Sequence, residues 1–124
     1  MPVSGIAFTM YPVSDLARAT AFYRDLLGLR PSGVATDYWL EFELAGSTFG
    51  IGSFEQVGTP GSAQSLALEV PDLTELRTML AANGVAVDPP HELASCAIAV
   101  VRDPDGNQIW LHQSKPREGN PTVP

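Results

Sequence analysis

Residues 13–29 read VSDLARATAFYRDLLGL, and residues 70–85 answer them with VPDLTELRTMLAANGV. Val13, Asp15 and Leu16 return as Val70, Asp72 and Leu73 at an offset of 57, whereas Gly28 and Leu29 return as Gly84 and Val85 at an offset of 56. One residue is therefore missing inside the second copy. Internal similarity of this kind comes before any motif, because it sets the architecture. In both copies an Asp (or Ser14 in the first) can cap a helix, its short side chain accepting from a free N–H of the first turn. Leu16, Ala19, Phe22, Tyr23, Leu26 and Leu27 recur at helical spacing in the first copy, and Leu73, Leu76, Met79 and Leu80 in the second. Gly28 and Asn83-Gly84 stop the two helices.

Strand signals surround each helix. Ile6 to Met10 precedes the first, and residues 29–35, Tyr38 to Leu44 and Thr48 to Phe54 follow it, the last two joined at Ala45-Gly46. Ser65 to Val70 precedes the second helix. Val85 to Val87, Cys96 to Val101 and Gln108 to Gln113 follow it, with Asp103-Pro104-Asp105-Gly106 as the last turn. Both halves read βαβββ. The expected organisation is one α+β domain: a module over 3–56, a linker over 57–63, a module over 64–114 and a tail over 115–124.

Composition narrows the function classes. The 124 residues are 44% hydrophobic and 17% charged, which suits one globular domain that buries about two-thirds of its unfolded surface. Seven Lys and Arg against 14 Asp and Glu leave a net charge of −7, which argues against nucleic acid or an anionic membrane and favours cationic ligands. No apolar run reaches the roughly 18 residues of a membrane span. The N-terminus lacks a secretory pattern, so the protein reads as soluble and cytoplasmic. The lone Cys96 permits no internal disulfide and, with no basic neighbour, reads as a buried thiol.

The tandem βαβββ pattern, VSDLARATAFYRDLLGL and the closing phrase DPDGNQIWL (103–111) resemble the glyoxalase, bleomycin-resistance and extradiol-dioxygenase superfamily, the vicinal oxygen chelate proteins. The likeness spans residues 5–113. It implies eight strands in a cupped mixed sheet with helices outside, and a homodimer. Metal-dependent members carry His or Glu ligands on four inward strand positions, which correspond here to Phe8, Gly50, Ser65 and Trp110. None of these is a conventional ligand. No metal and no cofactor are therefore expected, and whether the chain is an enzyme stays open. A displaced site on His112, His91 or Glu92 is the alternative, although His91-Glu92 beside Pro89-Pro90 reads as loop.

Strand alternation gives the inner face directly. Ile6, Phe8 and Met10 share one face; Ser65, Ala67 and Glu69 another; Trp39, Glu41 and Glu43 a third; Gln108, Trp110 and His112 a fourth. Leu40, Phe42 and Leu44, Leu66 and Leu68, and Ile109 and Leu111 then point at the helices. The resulting surface is aromatic and acidic, suited to a flat cation. The expected ligand-binding residues are Phe8, Trp39, Glu41, Ser65, Glu69, Trp110 and His112. Two plainer readings stand beside this: the tryptophans fill a core or an interface, and the glutamates lie in solvent. The functional expectation is a protein that sequesters a cationic or aromatic compound such as an antibiotic, as the metal-free bleomycin-resistance branch does. The alternatives are a metal-dependent lyase, isomerase or dioxygenase of the same family, and a non-catalytic dimeric interaction module.

Overall fold

The computed structural model describes residues 2–116, so most of the expected tail lies outside the described residues. The fold is α+β, and the described residues comprise two compact units, residues 2–63 with 103–107, and residues 64–102 with 108–116. Each is built on a four-stranded mixed sheet. Among the described residues no helix is long and apolar enough to cross a membrane.

In the first unit, β1 (Thr9–Pro12) leads to α1 (Leu16–Thr20), followed by β2 (Arg30–Ala35), β3 (Trp39–Leu44) and β4 (Ser47–Gly52). The strand order is β1-β4-β3-β2, with β1 parallel to β4 and the other pairs antiparallel. Asp15 caps α1, its carboxylate accepting the Arg18 amide at 3.0 Å. Ser14 does not share that work; its hydroxyl donates to Asp105. Beyond Thr20 the helix widens into a π-helical stretch, Ala21–Leu26, closed by the Leu27 amide donating to Phe22 O. This wider turn accommodates one more residue than an α turn, and the first copy is one residue longer than the second between Asp15 and Gly28. It also buries the consecutive Phe22 and Tyr23. Gly28 then ends the helix at φ 76°.

Five residues of the closing turn, Asp103 to Asn107, complete this first unit. Asp103 and Asn107 are buried. Asp103 accepts the Tyr23 hydroxyl at 2.7 Å, the Asn107 side-chain amide at 2.8 Å, and the backbone amides of Asp105 and Asn107 at 3.0 and 2.9 Å. Asn107 also donates to Pro12 O at 2.7 Å and accepts the Gly61 and Ala63 amides at 3.0 and 3.1 Å. Around Tyr23 the core is aromatic, with Phe22, Phe42 and Phe49 at ring separations of 5.1, 6.2 and 5.3 Å.

The second unit repeats the topology. It contains β5 (Leu66–Glu69), α2 (Leu73–Ala82), β6 (His91–Glu92), β7 (Cys96–Arg102) and β8 (Gln108–Ser114), in the order β5-β8-β7-β6. Asp72 caps α2 by accepting the Glu75 amide at 2.9 Å. Leu68, Leu73, Leu80, Val101, Ile109 and Leu111 are buried in its core, and Cys96 is a buried free thiol.

Four local expectations change. The first strand begins at Thr9, not Ile6, because pairing with β4 runs from Thr9↔Phe49 to Pro12↔Gly52. Proline is tolerated there because β1 is an edge strand. Val85 to Val87 is no strand but a single bridge, Val87↔Val101. His91-Glu92, read as loop, is a short strand pairing with Ile98 and Ala97. The fourth strand stops at Gly52, and Glu55–Val57 turns as a 3-10 helix.

Burial, and then the charge of Asp103, push the Tyr23 phenol far above its ordinary range. In the unfolded chain that phenol ionises near pH 10, at about its model-peptide value. The unfolded state therefore loses its proton first, and stability falls as pH rises past that value. In urea denaturation at neutral pH, Tyr23→Phe is expected to cost about 1.5–3 kcal/mol, the worth of a hydrogen bond to a charged group. The same substitution should flatten the alkaline decline in stability; an unchanged decline would contradict the assignment.

Candidate functional site

Each sheet has one face packed on its helix and one face that carries aromatic and acidic side chains. In the first unit, Phe42, Phe49 and Ile51 lie on the packed face. Phe8 immediately precedes β1 and is 45% exposed, and Met10 is exposed beside it. Trp39 on β3 is partly buried, its ring 5.5 Å from Phe8 edge to face and 6.0 Å from Phe54. Its register partner is Gly52, and that of Glu41 is Gly50.

These two glycines set where the indole lies. A Cβ on Gly50 would collide with Trp39 Cζ2 and Cη2 and come within 3.0 Å of Cε2. A Cβ on Gly52 would stand 2.8 Å from Trp39 Cε3, 2.7 Å from Val57 Cγ2 and 3.2 Å from Phe54 Cε1. The indole thus rests against bare backbone, the close approach that only glycine permits. Glu41 fixes it in the plane: Trp39 Nε1 donates to Glu41 Oε2 at 2.8 Å, while Glu41 Oε1 accepts the Val34 amide at 3.3 Å. Glu43, expected on this face, instead accepts the Gly46 amide at 3.1 Å and closes the β3–β4 turn.

In the second unit the corresponding face carries Ala67 and Glu69 on β5, Trp110 and His112 on β8, and Ile98 and Val100 on β7. Ser65 lies one residue before β5 and is exposed. Trp110 is 39% exposed, and its indole N–H donates to Gln64 O at 3.2 Å. Glu69 and His112 face each other in register, with Nδ1 2.6 Å from Oε1.

Structure therefore brings Phe8, Trp39 and Glu41 together in one unit, and Glu69, His112 and Trp110 on one sheet face of the other. Phe54, the last residue of the strand read over Thr48 to Phe54, was not singled out from the sequence, and Val57 lies beyond that strand. The glycines at 50 and 52, spaced by two within a strand, were the available signal for a side chain lying across the sheet.

The four ligand positions of the family's metal enzymes do not fit a metal ion here. Phe8 packs against Trp39, Gly50 is covered by the indole, Ser65 offers one hydroxyl, and Trp110 offers only an N–H donor. Among the described residues no three of His, Cys, Asp or Glu gather to hold one. The displaced alternative fares no better: among the described residues His112 and Glu69 gain no third ligand, and Glu92 pairs with Lys115 at 2.6 Å.

Gly50→Ala tests the platform. The added methyl should push the indole off the sheet, break its bond to Glu41 and destabilise the protein by about 1–3 kcal/mol through overpacking. The Trp39 indole N–H resonance reports this directly, and an unshifted resonance would refute the arrangement.

A search of curated proteins finds no match. Among solved structures, TnmS3, an antibiotic binding protein from Streptomyces sp. CB03234, is 30% identical, with 93% of this chain and 99% of that one covered at a TM-score of 0.80. A glyoxalase/bleomycin resistance protein from the same organism is also 30% identical, with 88% and 100% covered at a TM-score of 0.76. Lactoylglutathione lyase from Agrobacterium tumefaciens shares the fold at 22% identity, with 91% and 96% covered at a TM-score of 0.74. Residues 5–111 match the family model itself, and the chain belongs to the Glyoxalase/Bleomycin resistance protein/Dioxygenase superfamily.

Proposed function

We propose that this protein binds a small organic molecule, a cationic or aromatic compound such as an antibiotic, and sequesters it without changing it. The observation that carries this reading is Trp39, seated on Gly50 and Gly52 and tied to Glu41, with Phe8 and Phe54 beside it. A planar ligand gains from stacking on such a held ring, and each aromatic face adds roughly 0.5–2 kcal/mol when the ligand is cationic. The net charge of −7 favours the approach of such a ligand. Similarity to an antibiotic binding protein at 30% identity supports the same class. Phe8, Trp39 and Glu41 serve as one binding surface, and Ser65, Glu69, Trp110 and His112 as the other. The working form is a homodimer, consistent with apolar residues left exposed at Val3, Ile6 and Phe8.

A thermal-shift panel tests this with bleomycin, N-methylacridinium, a neutral and an anionic aromatic, and divalent metals. A native-state binder at one hundred times its dissociation constant should stabilise the protein by about 2.7 kcal/mol. Cationic aromatics should stabilise it, and Trp39→Ala and Trp110→Ala should each weaken calorimetric affinity by roughly tenfold. Stabilisation by metals alone would favour a metal-dependent enzyme and end this reading. Light scattering on the eluted protein should give twice the chain mass.

A further inference from the structure

The open face of the second sheet holds a feature that deepens the binding reading, on which it rests. His112 Nδ1 lies 2.6 Å from Glu69 Oε1. The carboxylate is fixed from its other side, where Oε2 accepts the Ser114 amide at 2.8 Å. Partial desolvation raises the Glu69 carboxyl, but the Ser114 amide and His112 more than reverse this, leaving it below the usual carboxylate range. At neutral pH it is an acceptor only. A carboxylate facing Nδ1 sets the neutral imidazole as the Nδ1–H tautomer and leaves the lone pair on Nε2. Nε2 has no hydrogen-bond partner among the described residues, and the side chain is 32% exposed. Trp110, two residues earlier on β8, shares the face, and Ile98 is the cross-strand neighbour on β7. His91 follows on β6, opposite Ile98.

We propose that His112 Nε2 is the specificity-determining acceptor of this surface, taking a hydrogen bond from an O–H or N–H on an aromatic ligand that lies against Trp110. The class of ligand is then narrower than flat or cationic: it carries a donor on the rim of its ring. A ligand of the same shape without that donor covers Nε2 and leaves it unpaired, and sites built around a hydrogen bond reject such analogues. Glu69 acts through His112 and is a positioning residue.

Two flat probes differing in one donor, 2-naphthol and 2-methoxynaphthalene, test this by calorimetry on the full chain. The naphthol should bind roughly tenfold more tightly. His112→Phe keeps a ring at the position and should abolish the preference between the two probes. Glu69→Gln should do the same by another route. The Ser114 amide holds the glutamine oxygen on its side, so the NH2 donates to Nδ1 and turns the imidazole to its other tautomer. Equal binding of both probes to the wild type overturns the acceptor role and leaves the aromatic surface standing. Binding of neither probe removes the surface and this proposal with it. Nitrogen chemical shifts of His112 in the free protein decide independently of any ligand: a protonated Nδ1 with a bare Nε2 supports the assignment, and the reverse pattern overturns it.

Discussion

A buried carboxylate with four donors aimed at it governs the first unit. Asp103 takes the Tyr23 hydroxyl, the Asn107 side chain and two amides of its own turn. Burying such a group without these donors would cost several kcal/mol, so the surrounding chain is bound to supply them. That requirement explains the phrase Asp103-Pro104-Asp105-Gly106-Asn107 residue by residue. Only an amide side chain at 107 can donate to both Asp103 and Pro12 O while accepting from Gly61 and Ala63. Gly106 takes the positive φ of 95° that turns the chain. The hydroxyl of Tyr23 reaches Asp103 from the π-helical segment, so a turn, a helix defect and a linker all answer to one carboxylate.

The repeat was the most legible part of the fold because helix caps and strand faces are local chemistry. Asp15 and Asp72 cap as expected, and Phe42, Leu68, Ile109 and Leu111, on the face that alternation turns toward the helices, are buried. The offset change from 57 to 56 registered a surplus residue in the first copy, but not where it sits. A π turn is settled by the packing of Tyr23 against Phe42 and Phe49 and of Phe22 against Tyr23, which no periodicity records. Strand ends moved for a similar reason. Pairing partners far along the chain fixed β1 at Thr9, and they made a strand of His91-Glu92 despite the prolines before it.

Sidedness of the candidate surface was readable, and its internal bonds were not. Alternation placed Trp39 with Glu41 and Glu69 with His112 on shared faces. That Glu41 spends its charge orienting an indole, and that Glu69 orients an imidazole, depends on rotamers and on the Val34 and Ser114 amides. In both places a carboxylate is already occupied by the protein. The acidic side chains therefore act less as loose charge than as a set of clamps on aromatic rings.

Gly50 carries a further implication. The floor beneath Trp39 is main chain, so the determinant of ring position is a missing side chain. Surveys that learn by trimming residues to smaller ones are blind to it, since nothing remains there to trim. Change at this floor can proceed only by gaining atoms, and each gain first disturbs the ring above it. A lineage that filled the position would need a different aromatic anchor, so the glycine and the tryptophan are expected to be inherited, or lost, as a pair.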